Sequence, residues 1–103
     1  MDKLYEQTNK GLTVLLPREI DHHAADGIRQ EVDRRIVQDG VSAVIFDFKD
    51  TTFMDSSGIG LLMGRYKMVS YVGGSIYATG MNEKIKKLLF LANVQKYVHV
   101  VDR

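Results

Sequence analysis

Apolar positions along the chain recur with two spacings, and their alternation predicts the order of elements. Leu12-Thr13-Val14-Leu15-Leu16 is a short β-rich run closed by Pro17, and the turn Asn9-Lys10-Gly11 joins it to a weaker edge strand over residues 3–8. Ala25, Ile28, Val32 and Ile36 then recur at three and four, which predicts a helix capped at its start by Asp21 and ended by Gly40. Val41-Ser42-Ala43-Val44-Ile45-Phe46-Asp47-Phe48 is nearly unbroken in apolar character. It reads as the central strand of a sheet, covered on both faces.

A second amphipathic helix is predicted from Ile59, Leu62, Met63, Tyr66 and Val69, with Gly73-Gly74 stopping it before the strand Ser75-Ile76-Tyr77-Ala78-Thr79. The third helix takes Asn82 as its N-cap and buries Ile85, Leu88, Leu89 and Ala92, with Asn93 as a left-handed stop. Tyr97–Val101 supplies the last strand. Strands alternating with helices imply right-handed parallel crossovers, hence an α/β fold with a mixed, mostly parallel sheet and three helices, in one domain over residues 1–103.

Composition narrows the function. With 103 residues, 45% hydrophobic and 26% charged, a core is affordable without metal or disulfide, and the chain has no Cys. No apolar run approaches the length of a membrane span, and the amino terminus lacks a leader's apolar stretch, so the expectation is a soluble, cytoplasmic protein. Fourteen basic residues are interspersed with thirteen acidic ones, which disfavours nucleic acid as a partner. Arg65 with Lys67, and Lys84 with Lys86 and Lys87, read as solvated helix faces.

The chemistry concentrates in Phe53-Met54-Asp55-Ser56-Ser57-Gly58-Ile59-Gly60, between the central strand and the second helix. A serine in the first helical turn lies near unpaired N–H groups and the positive end of the helix dipole, where an added phosphate is tolerated. Gly58 and Gly60 are expected to keep side chains out of the way. Capping of the helix by Asp55 or Ser56 accounts for these residue types equally well on physical grounds alone.

The stretch Phe-Met-Asp-Ser-Ser-Gly nevertheless resembles the phosphorylation loop of STAS domains, the anti-sigma factor antagonist family. Gly64-Arg65-Tyr66-Lys67 continues the resemblance, and Glu19-Ile20-Asp21-His22-His23-Ala24 is similar to the strand-to-helix segment of the sporulation members, which there contributes to the partner-binding surface. The likeness runs over roughly residues 11–100. It implies that Ser57 is the phosphoacceptor and that Asp21, His22, His23, Asp55, Ser56, Ser57, Gly58, Ile59 and Gly60 face the partner.

The implied partners are an anti-sigma factor that is also a serine kinase, and a PP2C-type serine phosphatase. The protein itself would be no enzyme and hold no cofactor, ATP being bound by the kinase, and would be a monomer or weak homodimer. Family members commonly continue into a further helix after the last strand. Its absence would leave one sheet face less covered and favour self-association.

Other chemistries fit less well. Asp55 stands where a serine-hydrolase elbow needs Gly, and no base is identifiable. His22 and His23, as neighbours on a helix, point about 100° apart and do not converge on a metal. The glycines at 58 and 60 complete no nucleotide-binding motif. A phospho-receiver domain using Asp47 would need a magnesium site whose acidic pair is not evident, which leaves Asp47 as a loop anchor. A stressosome or transporter-linked STAS module without the kinase cycle is the alternative within the same fold.

Overall fold

The computed structural model describes residues 4–101, so Lys3 of the expected first strand lies outside the described residues. The elements run β1 (Tyr5–Thr8), β2 (Gly11–Leu15), β3 (Glu19–Ile20), α1 (His22–Asp39), β4 (Ala43–Asp47), β5 (Phe53–Met54), α2 (Ser56–Ser70), β6 (Ser75–Thr79), α3 (Glu83–Leu91), a single 3-10 turn (Val94–Lys96) and β7 (His99–Val101). Five strands form the main sheet in the order β1-β2-β4-β6-β7. Only the β1–β2 pair is antiparallel, so the sheet is mixed and mostly parallel, with β4 in the middle as its apolar run predicts.

Register explains the core. Leu12 pairs with Val44 and Val44 with Ile76, while Val14, Phe46, Ala78 and Val100 form the next row. The first three members of each row are almost fully buried. Each parallel crossover advances one strand in the same direction, and right-handed crossovers of that kind place all three helices on one face. Ala25, Ile28 and Val32 of α1, Leu61, Leu62 and Val69 of α2, and Ile85 and Leu89 of α3 pack there.

The expectation that β4 is covered on both faces is therefore corrected. The opposite face carries the row Glu6, Thr13, Ile45, Tyr77 and His99, which is half-buried at its centre and exposed at its edges. Tyr77 and His99 stack there with ring centroids 4.9 Å apart. Continuous apolar character in β4 came from Ala43 and Ile45, small and β-branched residues that suit a strand even where solvent reaches it.

The helix boundaries follow their capping chemistry. Asp21 accepts the Ala24 N–H at 2.9 Å, and Asn82 accepts that of Ile85 at 2.8 Å. Gly40 ends α1 at φ 71, a left-handed conformation that costs glycine nothing. Asn93 is also left-handed, at φ 60, and turns the chain into the 3-10 segment, which shortens the expected last strand to three residues.

The two-residue strand β3, which the family resemblance implies, and β5, which nothing in the sequence suggests, pair in parallel as a separate ribbon, Glu19 opposite Phe53 and Ile20 opposite Met54. Backbone bonds extend it at both ends, from Thr52 N–H to Arg18 O at 2.8 Å and from Asp55 N–H to Ile20 O at 3.1 Å. The buried Thr51 hydroxyl donates to Pro17 O at 2.7 Å. Thr51→Val removes that bond and leaves a partly buried carbonyl short of a donor, and should cost about 1–2 kcal/mol. In a domain of this size the corresponding fall in melting temperature is roughly 5–15 °C, measurable by calorimetry.

Candidate functional site

Each strand of the β3/β5 ribbon leads into a helix: Ile20 precedes the α1 cap Asp21, and Met54 precedes the α2 cap Asp55. Pairing the strands therefore sets the amino-terminal ends of α1 and α2 side by side. Two helix dipoles present their positive ends to the same region. Both caps answer this with a carboxylate, and the bond from Ala24 N–H holds the Asp21 carboxyl below its ordinary value.

Asp55 accepts the Ser57 N–H on Oδ1 at 2.8 Å, which places Ser56 and Ser57 at the first two helical positions. Ser56 is exposed, whereas Ser57 is half-buried and lines a cleft of about 200 Å³ between α1 and α2. Its walls are His22, Ala25, Asp26 and Arg29 from α1, and Gly60, Leu61 and Arg65 from α2. These residues recur at three and four on each helix, so one stripe of α1 faces one stripe of α2.

At the deeper end of the same stripes the helices are tied by charge. Arg65 Nε and Asp33 Oδ1 lie 2.7 Å apart, but off the N–H axis, so the contact is charge pairing rather than an aligned hydrogen bond. Arg65 Nη1 also donates to Leu61 O at 3.2 Å. Its side chain is only 8% exposed, and burial pushes its guanidinium below the ordinary value while Asp33 opposes the shift. Arg65 is thus a buried positioning group and not the solvated residue its charge suggested; Lys67, by contrast, is exposed.

Arg29 sits between the two ends. Its Nη2 meets Asp26 Oδ1 at 2.8 Å and its Nη1 lies 3.6 Å from Asp33 Oδ2. The Arg29 hydrogen bond is the main reason the Asp26 carboxyl is held below its ordinary value. Neither Arg29 nor Arg65 was singled out as a site residue by the sequence. A usable signal existed for Arg65, because it falls four residues after Leu61 and four before Val69, on the buried stripe of α2.

The two histidines separate. His22 lines the Ser57 cleft, while His23 lines a different hollow with Leu4, Tyr5, Leu15 and Pro17. Among the described residues no group of three or more His, Asp or Glu side chains is placed to hold a metal ion. Asp47 is buried at the end of β4, where its Oδ1 accepts the Lys49 N–H at 3.0 Å. That carboxylate anchors the turn after the strand. Ile59 lies half-buried, with part of its side chain packed against the core.

Beside the loop, Phe53 is 52% exposed and forms one side of an apolar groove completed by Met54, Leu88 and Leu91, with Lys84 and Lys87 on its rim. The α3 stripe expected from spacing, Ile85, Leu88, Leu89 and Ala92, leaves out Leu91, and its last member Ala92 is exposed. Leu91 is 74% exposed.

The profile of the STAS domain matches residues 3–103. The chain belongs to the STAS domain family. Among relatives of this STAS domain, the anti-sigma F factor antagonist of Paenibacillus polymyxa is 33% identical over 91 residues, covering 88% of this chain and 78% of the relative. The anti-sigma-B factor antagonist of Bacillus subtilis is 26% identical over 95 residues, covering 92% and 85%. Among solved structures, the anti-sigma factor antagonist SpoIIAA in its unphosphorylated form superposes with a TM-score of 0.89 at 29% identity, covering 96% of this chain and 85% of that one. The phosphorylated form of SpoIIAA from Bacillus gives a TM-score of 0.80 at 29% identity, covering 96% and 88%.

The two glycines expected to clear the loop differ. A Cβ at Gly58 would overlap Sδ and Cγ of Met54, so the α2 start approaches β5 only because residue 58 has no side chain. A Cβ at Gly60 would meet nothing, and its φ is not left-handed. Gly58→Ala should therefore destabilise by about 1–3 kcal/mol through overpacking. Gly60→Ala should be neutral or stabilise by about 0.5–1 kcal/mol by favouring the helix. Urea unfolding of the two variants checks the contrast.

Proposed function

We propose that this STAS domain is an anti-sigma factor antagonist whose hold on its partner is switched off by a phosphate on Ser57. The observation that carries the reading is the position of Ser57: half-buried in the first turn of α2, in a cleft at the joined amino-terminal ends of two helices. The partner is an anti-sigma factor that is also a serine kinase, and docking on it frees the sigma factor. A PP2C-type phosphatase resets the switch. The identities of 33% and 32% to anti-sigma F factor antagonists, against 26% to anti-sigma-B factor antagonists, favour a sporulation system.

In the unphosphorylated chain the contact surface is neutral at Ser57, flanked by Asp21, His22, Asp55 and Ser56, and continued by the exposed Phe53. A phosphate adds roughly −1.5 to −2 charge at neutral pH, next to the Asp55 carboxylate. An interface shaped around a hydroxyl must then desolvate a dianion. A penalty of about 3 kcal/mol is enough to weaken binding more than a hundredfold. Likeness to SpoIIAA in both its unphosphorylated and phosphorylated forms supports a switch that acts at the surface of a retained fold.

Intact-mass analysis with site mapping, after incubation with ATP and a sporulation-type anti-sigma kinase, tests the reading. The native chain should gain one phosphate, and Ser57→Ala should gain none. Absence of modification with sporulation-type and stress-type kinases alike would overturn the switch and leave a constitutive binding module.

A further inference from the structure

The cleft beside Ser57 holds more than is needed to place a hydroxyl. It brings Arg29 of α1 toward Ser57 of α2, across a space of about 200 Å³ that is open to solvent. Helical side chains lean toward the amino terminus, and Arg29 does so to reach Asp26, one turn nearer the Ser57 end of the stripe. Its side chain is 43% exposed, so it is free to re-aim, whereas Arg65 below it is fixed by burial.

We infer that a phosphate on Ser57 is received within the chain itself, by Arg29, which gives up its bond to Asp26 and pairs with the phosphate. This rests on the reading of Ser57 as the phosphorylated residue. The exchange favours the phosphate on charge and on geometry. A phosphate presents three strong acceptor oxygens and nearly twice the charge of one carboxylate, and a planar guanidinium can meet two of those oxygens at once.

Neither carboxylate that Arg29 leaves is stranded. Asp26 keeps the Gln30 Nε2 donor on its Oδ2 at 2.9 Å, and Asp33 keeps Arg65. The charged and titratable groups around the phosphate are then Arg29, Arg65 and His22 on one side of the balance, and Asp26, Asp33 and the caps Asp21 and Asp55 on the other. Phosphorylation thereby changes the α1 face as well as the loop: Arg29 is drawn across the cleft, and the surface beside His22 is rebuilt.

The test uses the full chain with phosphoserine genetically encoded at position 57, so that no kinase is required. Phosphorus NMR follows the phosphate through its second ionisation, in the native background, in Arg29→Gln and in Arg29→Lys, each repeated with His22→Gln because His22 lines the same cleft. With Arg29 present the phosphate's acid constant should be roughly three- to tenfold larger than in Arg29→Gln, with Arg29→Lys between them, and the Arg29 Nε signal should move on phosphorylation. Amide spectra of each variant establish that it is folded.

Identical titration in the native chain and Arg29→Gln, or an Arg29 Nε signal that ignores the phosphate, would overturn the contact. A kinase that leaves Ser57 unmodified would sink the switch without touching this result, and an unchanged titration would sink the contact without touching the switch.

Discussion

The pairing of β3 with β5 is the constraint on which the site depends. Two residues from each segment, Glu19-Ile20 and Phe53-Met54, tie together the entries of α1 and α2, although they are more than thirty positions apart in sequence. The main sheet alone would fix where the helices lie over β2, β4 and β6, but not how their first turns meet. With the ribbon in place, Asp21 and Asp55 cap neighbouring helix ends, and Ser57 opens on the stripe of α1 that carries His22, Asp26 and Arg29. Gly58 permits the same junction from below, by admitting the Met54 side chain against the helix backbone.

Charge then sets what the junction can do. The buried Arg65–Asp33 pair is poor evidence for added stability, since desolvation offsets most of its attraction, but it holds α1 and α2 in one register. Above it, Arg29 and Asp26 are exposed enough to exchange partners. A fixed pair below and a movable pair above allow a charge arriving at Ser57 to alter the surface while the core stays packed. The bare sheet face, with Tyr77 stacked on His99, lies on the other side of the molecule and takes no part in this.

Much of this was legible in the sequence where local chemistry and long-range packing agree. The caps Asp21 and Asn82, the stop at Gly40 and the stripe Ala25-Ile28-Val32 announce themselves because a helix needs each of them regardless of its neighbours. Of the ribbon strands, Glu19-Ile20 was legible only through the family resemblance and Phe53-Met54 not at all, since two residues show no period. Arg65 was misread because a charged residue in a helix defaults to solvent, and its partner Asp33 is a long-range contact. The bare face of β4 escaped notice because Ala43 and Ile45 suit a strand whether or not a helix covers them. Ser57 stood out through family resemblance more than physics, as Asp55 and Ser56 alone would serve as ordinary caps.

Calorimetric titration of a purified sporulation-type anti-sigma factor measures directly whether the state of Ser57 decides partner binding. The native chain and Ser57→Ala should both bind, and the chain with phosphoserine encoded at position 57 should bind more than about a hundredfold more weakly. Equal affinity of the native and phosphorylated chains would contradict a switch at Ser57.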